Sequence, residues 1–288
     1  MRKPDTKGRP DRRGRRGTRD GWVAYALALP LAVLMTVPFL YMVATALMSE
    51  PDSLRHPIPE NFAAALGAVP FERFLLNSVI FSLAVVAGQV LTSTTAAYAF
   101  ARLRFPGRDR VFLAYLCALM APAIVLVIPR FLVIDALGWV DSYRGLISTE
   151  LVSVTGIFLL RQFFRTIPRD LEDAARLEGA GEWTIFWRVI VPPSRPALAT
   201  LAVLGFADQW RSFVWPLVAT RSSGMQPLEV GIANLQGAYD LSWSYQMATA
   251  VAAVIPLMVL YFVAQRYFIR GIEQTASSFC LSSPRSLI

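Results

Sequence analysis

Six apolar runs of about 20 residues or more, separated by polar loops, leave this chain few ways to fold. They extend roughly from Trp22 to Met48, Phe74 to Phe100, Val111 to Ile134, Leu146 to Phe164, Ala197 to Ala219 and Tyr245 to Phe268. Each is long enough to cross about 30 Å of hydrocarbon. Inside hydrocarbon the backbone must bond to itself, so the runs read as helices rather than open strands. Pro30, Pro38, Pro122, Pro129 and Pro256 fall within them. In water these would argue against helix, but a membrane bundle accommodates them as kinks. The fold class expected is an all-α membrane protein with six transmembrane helices. Composition agrees: 55% of residues are hydrophobic and only 17% charged, too few charges for a soluble domain of 288 residues.

The net charge of +8 does not make this a nucleic-acid binder, because the basic residues sit in tails and loops between the apolar runs. Nine of them, from Arg2 to Arg19, crowd into the first twenty residues, among Gly and Pro and with three acids. That composition reads as a disordered tail. A basic start before an apolar run also resembles a signal peptide, and Ala44-Thr45-Ala46 offers a cleavage-like site. The run from Trp22 to Met48 is too long for a signal core and suits a membrane anchor.

Basic residues then alternate by side. With the tail inside, the inner loops hold Arg102, Arg104, Arg108 and Arg110, then Arg161, Arg165, Arg169, Arg176, Arg188 and Arg195, and finally Arg266, Arg270 and Arg285. The outer loops hold Arg55, Arg73, Arg144 and Arg221. This positive-inside pattern puts both termini in the cytoplasm of a multi-pass protein of the cell membrane. The organisation expected is a cytoplasmic tail over residues 1–21, a six-helix domain over 22–270, and a cytoplasmic tail over 271–288.

One inner loop, at about 165–193, is unlike the others. It mixes Asp170, Glu172, Asp173 and Glu178 with Arg169 and Arg176, where topology alone asks for a short basic loop. Pro168 and Asp170 suit a helix start, Asp173 sits near the positive end of the dipole, and Gly179 suits a stop. Leu171, Ala174, Ala175 and Glu178 share a face by i, i+3, i+4 and i+7 spacing. Glu172 and Arg176 are placed to pair at i, i+4. The result is a short knob-like helix, followed by Trp183, Phe186 and Trp187 before Pro192 and Pro193. On pattern alone it is equally a surface helix lying on the bilayer.

The run Asp173-Ala174-Ala175, then Gly179-Ala180, then Ile190-Val191-Pro192 resembles the EAA loop of binding-protein-dependent ABC importers, in particular their carbohydrate-uptake branch (the maltose-type second permease). The branch pattern is E-A-A-x-x-D-G-A followed by F-x-x-V-x-x-P. Here Asp173 stands for its Glu and Glu178 for its Asp. Asn77-Ser78, Ala97-Tyr98-Ala99-Phe100-Ala101-Arg102 and Phe105-Pro106-Gly107-Arg108 resemble the branch around its second span. Trp210, Phe213, Trp215, Pro216 and Leu217 resemble its W-N-x-F-x-W-P-L pattern, with Arg211 in place of Asn. Gln265-Arg266-Tyr267-Phe268 with Gly271 resembles its C-terminal end, but Thr275-Ala276-Ser277-Ser278 replaces the usual G-A-V-K-G tail.

The resemblance implies a type I ABC importer permease that moves a sugar or related polyol by ATPase-driven alternating access. It implies a homologous second permease, an ATPase subunit dimer and an extracytoplasmic substrate-binding protein as partners. The ATPase-coupling residues implied are Leu171, Glu172, Asp173, Ala174, Ala175, Glu178, Gly179 and Ala180.

Charged groups at membrane depth are costly and usually face the bundle or a water path. Asp208 and Arg211, three apart, are placed to pair, with Gln209 beside them. Together with Asn77, Trp210 and Phe213 they form the candidate translocation path, although an ion pair between helices and aromatic anchors at the interface account for the same residues. Asn77 and Gln89 also fit as glue between helices. Arg130 is placed to snorkel.

Catalysis has no foothold. There is no Gly-rich phosphate loop, the single His is His56 in an outer loop, and Cys117 and Cys280 make neither a disulfide framework nor a metal site. No cofactor is called for. A competing class is an ion-coupled secondary transporter, which needs an internal repeat that this chain lacks. An intramembrane enzyme is another, and no nucleophile and base share a depth.

Overall fold

The computed structural model describes residues 17–48, 60–234 and 243–281. Among them the secondary structure is helical, with no strand. Residues 1–16, 49–59, 235–242 and the last seven lie outside the described residues, and with them most of the expected basic tail.

The organising element is α3 (Phe71–Arg102), whose 32 residues span about 48 Å. It buries a stripe of small and polar residues at helical spacing, including Ser78, Ser82, Ser93, Ala97 and Ala101. Small residues let neighbouring backbones approach closely, which is how helices associate without a hydrophobic drive. Two helices pack along this stripe: α7 (Val154–Thr166) and α10 (Arg195–Trp210). Gly156 of α7 sits where any Cβ would press into Ser93 of α3 and Leu201 of α10.

At the periphery, α1 (Gly17–Ala46) packs on the last described helix, α13 (Trp243–Leu281). Both leave broad apolar faces open, such as Leu29, Leu34 and Leu40 on α1 and Met258, Tyr261 and Phe262 on α13. So much exposed apolar surface belongs in hydrocarbon. A short α2 (Glu60–Gly67) lies against α13.

Each expected span maps onto helix, but not all are straight. Continuous apolar helices long enough to cross a membrane occur in α1, α3 and α13. The third span bends by 98° between Arg108–Met120 and Ala123–Ala136. It comprises α4 (Arg108–Cys117) and α5 (Val127–Ala136). The bend falls at Pro122, which has no N–H to continue a helix. The fourth is divided into α6 (Tyr143–Ser148) and α7, whose 13 residues cover about 20 Å. Ser153 starts α7 anew by accepting a hydrogen bond from the Gly156 amide at 3.0 Å. The fifth breaks at Arg211–Phe213 between α10 and α11 (Val214–Ala219). The sixth runs on past Gly271 to Leu281, so no helix end marks the expected start of the C-terminal tail.

Between α7 and α10 the chain forms α8 (Asp170–Leu177) and α9 (Glu182–Ile185), which continues as a π turn, Phe186–Ile190. A further short helix, α12 (Leu228–Ala233), stands between α11 and α13. The 165–193 segment gathers at the Arg102 end of α3, and the loop holding Gly224 gathers at the Arg73 end.

Candidate functional site

Helix α8 opens with three acids, Asp170, Glu172 and Asp173, in its first turn, where the dipole favours negative charge. Its other end is closed by backbone. Gly179 takes φ +84°, its N–H bonds Arg176 O at 3.0 Å, and the Ala180 N–H reaches back to Ala175 O at 2.9 Å. These two bonds make a Schellman stop, which glycine adopts without a Cβ penalty. No atom lies within 4 Å of where a Cβ on Gly179 would stand, so the requirement is purely conformational.

The expected face of α8 divides in two. Leu171, Asp173, Ala174, Glu178 and Gly179 are exposed. Ala175 turns inward with Ala180, against a core containing Leu160, Phe164 and Ile185. Glu172 is also inward, with a side chain only 3% exposed. The reason is rotational: Glu172 and Ala175, three apart, take the side that meets the bundle. The ridge left outside is Leu171, Ala174 and Leu177, and Leu177 is 91% exposed. Leu177 was missed, although its i+3 relation to Ala174 signals the same face.

The buried Glu172 has a partner that the spacing did not suggest. The expected Arg176 contact forms at 3.5 Å, but Arg102 Nε approaches Glu172 Oε1 more closely, at 3.0 Å. That approach lies off the N–H axis, so it is an ion pair rather than a hydrogen bond. Arg102 also donates to Phe164 O, and to Ile167 O at 2.6 Å. From sequence, Arg102 reads as an inner-loop charge and as the end of the run from Ala97 that resembles the branch's second span, with no sign of a partner on α8. Removing one member of a buried pair of this kind costs about 3–5 kcal/mol, because the other is left alone in low dielectric.

Arg176 completes the network. It donates to Asp173 at 3.0 Å and to Glu182 Oε1 at 3.1 Å, and Glu182 Oε2 accepts from Tyr98 Oη at 2.7 Å. The Glu182 hydrogen bond is the main cause that pushes the Arg176 guanidinium above its usual range.

A second site lies in the body of the bundle. A cavity of about 560 Å³ is lined by Arg130, Glu150, Asp208, Gln209, Arg211 and Phe213, with Trp215 beside them. The break after α10 places Arg211 and Phe213 on its wall. Four of the expected path residues therefore meet here. Two do not. Trp210 is buried, stacked on Phe206 at 5.4 Å between ring centres, and its indole N–H donates to Ala253 O at 3.3 Å.

Asn77 is fully buried elsewhere. It donates to Gly224 O and Gln226 O at 3.0 and 2.9 Å and accepts from Tyr143 Oη at 2.6 Å. Its polar atoms all serve to hold the chain together. Gln89 acts likewise, donating to Glu150 O at 2.9 Å.

Other details differ from expectation. No ion pair joins Asp208 to Arg211 among the described residues; Arg211 Nε donates instead to Ala207 O at 3.1 Å, one turn back. Arg130 does not snorkel. It pairs with Glu150, donates to Thr149 Oγ1 at 2.8 Å, and lies 4.0 Å over the Trp215 ring. Gln209 Oε1 is buried with no hydrogen-bond donor among the described residues. The field of Arg211 reaches Glu229 on α12, whose carboxyl burial pushes up and Arg211 draws back.

Kinked and broken apolar helices beside an open cavity that carries charged residues, with a polar helix capped and braced at one end, fit a multi-pass membrane permease. Residues 89–274 match the family described as binding-protein-dependent transport system inner membrane component, and the chain belongs to that family. It is a transport subunit and not an enzyme, and ATP hydrolysis in this family resides in a separate subunit.

The chain is 33% identical over 260 residues to the sn-glycerol-3-phosphate transport system permease protein UgpE of Rhizobium meliloti (strain 1021), covering 84% of this chain and 92% of that one. It is 32% identical over 270 residues to the protein of the same name from Agrobacterium fabrum (strain C58 / ATCC 33970), covering 88% and 96%. Its fold matches a chain in the crystal structure of a bacterial ABC transporter involved in the import of the acidic polysaccharide alginate. That match has a TM-score of 0.77 at 23% identity, over 88% of this chain and 98% of that chain. A second match, with a TM-score of 0.60 at 19% identity over 88% and 96%, is to a chain of a bacterial alginate ABC transporter in complex with alginate pentasaccharide-bound periplasmic protein.

Proposed function

We propose that this chain is one permease half of an importer for a sugar or a related polyol, glycerol phosphates included. It pairs with a homologous second permease above an ATPase subunit dimer, and an extracytoplasmic binding protein delivers the solute. Both termini and the 165–193 loop face the cytoplasm, a placement supported by the distribution of basic residues. The basic tail before α1 and the stretch after residue 270 lie on that same side.

The observation that carries this reading is the construction of α8. Its Schellman stop and its buried Glu172 hold it in place, while Leu171, Ala174 and Leu177 stand uncovered. A small, stiff ridge of that shape fits a groove on a partner, with Asp173 and Glu178 at its rim. ATPase closure would displace the ridge and switch the cavity between its two sides by rigid-body motion. Inside the cavity, Asp208, Gln209 and Arg211 offer polar contacts to hydroxyl or phosphate groups, and Phe213 offers a face for a sugar ring.

The test replaces the exposed Ala174 with Trp, which the chain itself has room for. Membrane insertion is expected to be normal. Co-purification of the ATPase is expected to weaken by about thirtyfold or more, the loss typical of a central contact of about 2 kcal/mol. Uptake of radiolabelled sn-glycerol 3-phosphate and of mono- and disaccharides, measured in cells with the complete transporter, identifies the solute. An ATPase that stays bound to Ala174→Trp with undiminished uptake refutes the docking role.

A further inference from the structure

The backbone neighbours of α8 are α9 and the π turn that follows it. Apart from the small Ala175, its direct links to the spanning helices are polar. Arg102 is the last residue of α3, and its guanidinium, with a side chain 3% exposed, reaches three places at once. It pairs with Glu172 on α8, and it donates to Phe164 O and Ile167 O, which end α7. One turn earlier on α3, Tyr98 holds Glu182, and Glu182 holds Arg176 of α8. Two struts from one helix, a turn apart, resist both sliding and rotation of α8. Apolar packing alone, through the small Ala175, would resist neither well.

We propose that Arg102 is a positioning residue for energy coupling. Its guanidinium joins α8, the end of α3 and the end of α7 into one rigid body, so that displacement of α8 reaches the spans instead of being absorbed in the Ile167–Arg169 connection. This rests on the reading of α8 as the ATPase-contacting element. A charged pair suits the task because it is short and directional. The two carbonyls lie at the end of α7, where Phe164 O receives the capping Ile167 N–H at 3.2 Å, and Arg102 adds a donor to each.

The experiment uses the complete transporter in lipid nanodiscs, in an otherwise cysteine-free background that includes Cys117→Ser and Cys280→Ser. Nitroxide labels are placed at Asp170→Cys on α8 and Glu72→Cys at the far end of α3, both exposed. Their separation is measured by pulsed electron paramagnetic resonance without nucleotide and after trapping with ATP, magnesium and vanadate. A parallel chain carrying Leu177→Cys is tested with a thiol-to-amine cross-linker for contact with the ATPase.

With Arg102 present, the label separation stays the same in both states. With Arg102→Met, it broadens and shifts on trapping by about 2 Å or more, the scale of helix displacements in switching proteins. Cross-linking through position 177 persists. Arg102→Lys, which keeps the charge but reaches fewer acceptors, falls between the two. If Arg102→Met does not insert, Arg102→Met with Glu172→Met leaves no lone buried charge and gives the same readout. An unshifted separation in the Met variants, with the cross-link intact, overturns the role of Arg102 alone. Failure of Leu177→Cys to cross-link in the Arg102 background overturns the docking reading, and this proposal with it.

Discussion

Replacing Gly179 with Ala isolates the backbone requirement at the end of α8. No atom lies within 4 Å of the new Cβ, so no clash accompanies the change. What remains is the cost of holding an L-residue at φ +84°, about 1–2 kcal/mol. That cost falls on the two bonds that stop the helix, Gly179 N–H to Arg176 O and Ala180 N–H to Ala175 O. It converts to about five- to thirtyfold in the equilibrium for opening the last turn.

Hydrogen–deuterium exchange of the detergent-purified chain reads this directly. The amides of residues 179 and 180 are expected to exchange faster by that factor, while α3 amides are unchanged. Gly181 supplies the control, since its added Cβ also meets nothing and its φ is −75°. Gly181→Ala should leave exchange in α8 unaltered, and Gly179→Asn should lie between, because Asn tolerates the left-handed region better than Ala. Equal exchange in Gly179→Ala and Gly181→Ala would falsify the claim that a left-handed glycine stops α8.

Three further outcomes follow from the packing. Asn77→Leu removes both donors to Gly224 O and Gln226 O and strands the Tyr143 hydroxyl; the loss is expected at about 2–3 kcal/mol, seen as a lower midpoint of heat denaturation. Gly231→Ala would drive a Cβ into the ring of Phe74, costing about 1–3 kcal/mol in the same assay, whereas Gly67→Ala meets open space and should be silent.

Burial alone would raise the Asp141 carboxyl, but N–H groups of Arg221 and Ser222 at 2.9 and 3.0 Å outweigh it and hold the group below the usual carboxylate range. A depressed carboxyl stabilises fully above its unfolded value, near pH 4, and loses that contribution as pH falls further. Limited proteolysis of the 220–226 loop should therefore quicken below about pH 4. Asp141→Asn should remove most of that dependence.

Some of this protein is written locally. Unbroken apolar runs need only their own length to demand helices in hydrocarbon, and the positions of α1, α3 and α13 follow from that. The knob at α8 is equally local, since acids at its start and glycine past its end act within one turn of the backbone they satisfy. Asp208 and Arg211 stand out in the sequence because charge at that depth is out of place in any lipid-facing helix, and both line the cavity.

The remainder depends on neighbours far along the chain. Whether Glu172 points out to a partner or in to Arg102 depends on how α8 is rotated against the end of α3, 70 positions earlier, and the sequence between carries no trace of it. Asn77 turned from a lining residue into a latch because the chain returns at Gly224 and Gln226, about 150 positions later. The bend at Pro122 and the break after Trp210 shape the cavity, and a hydropathy run averages over both. Helical spacing says which residues share a side; only packing decides which side meets the protein.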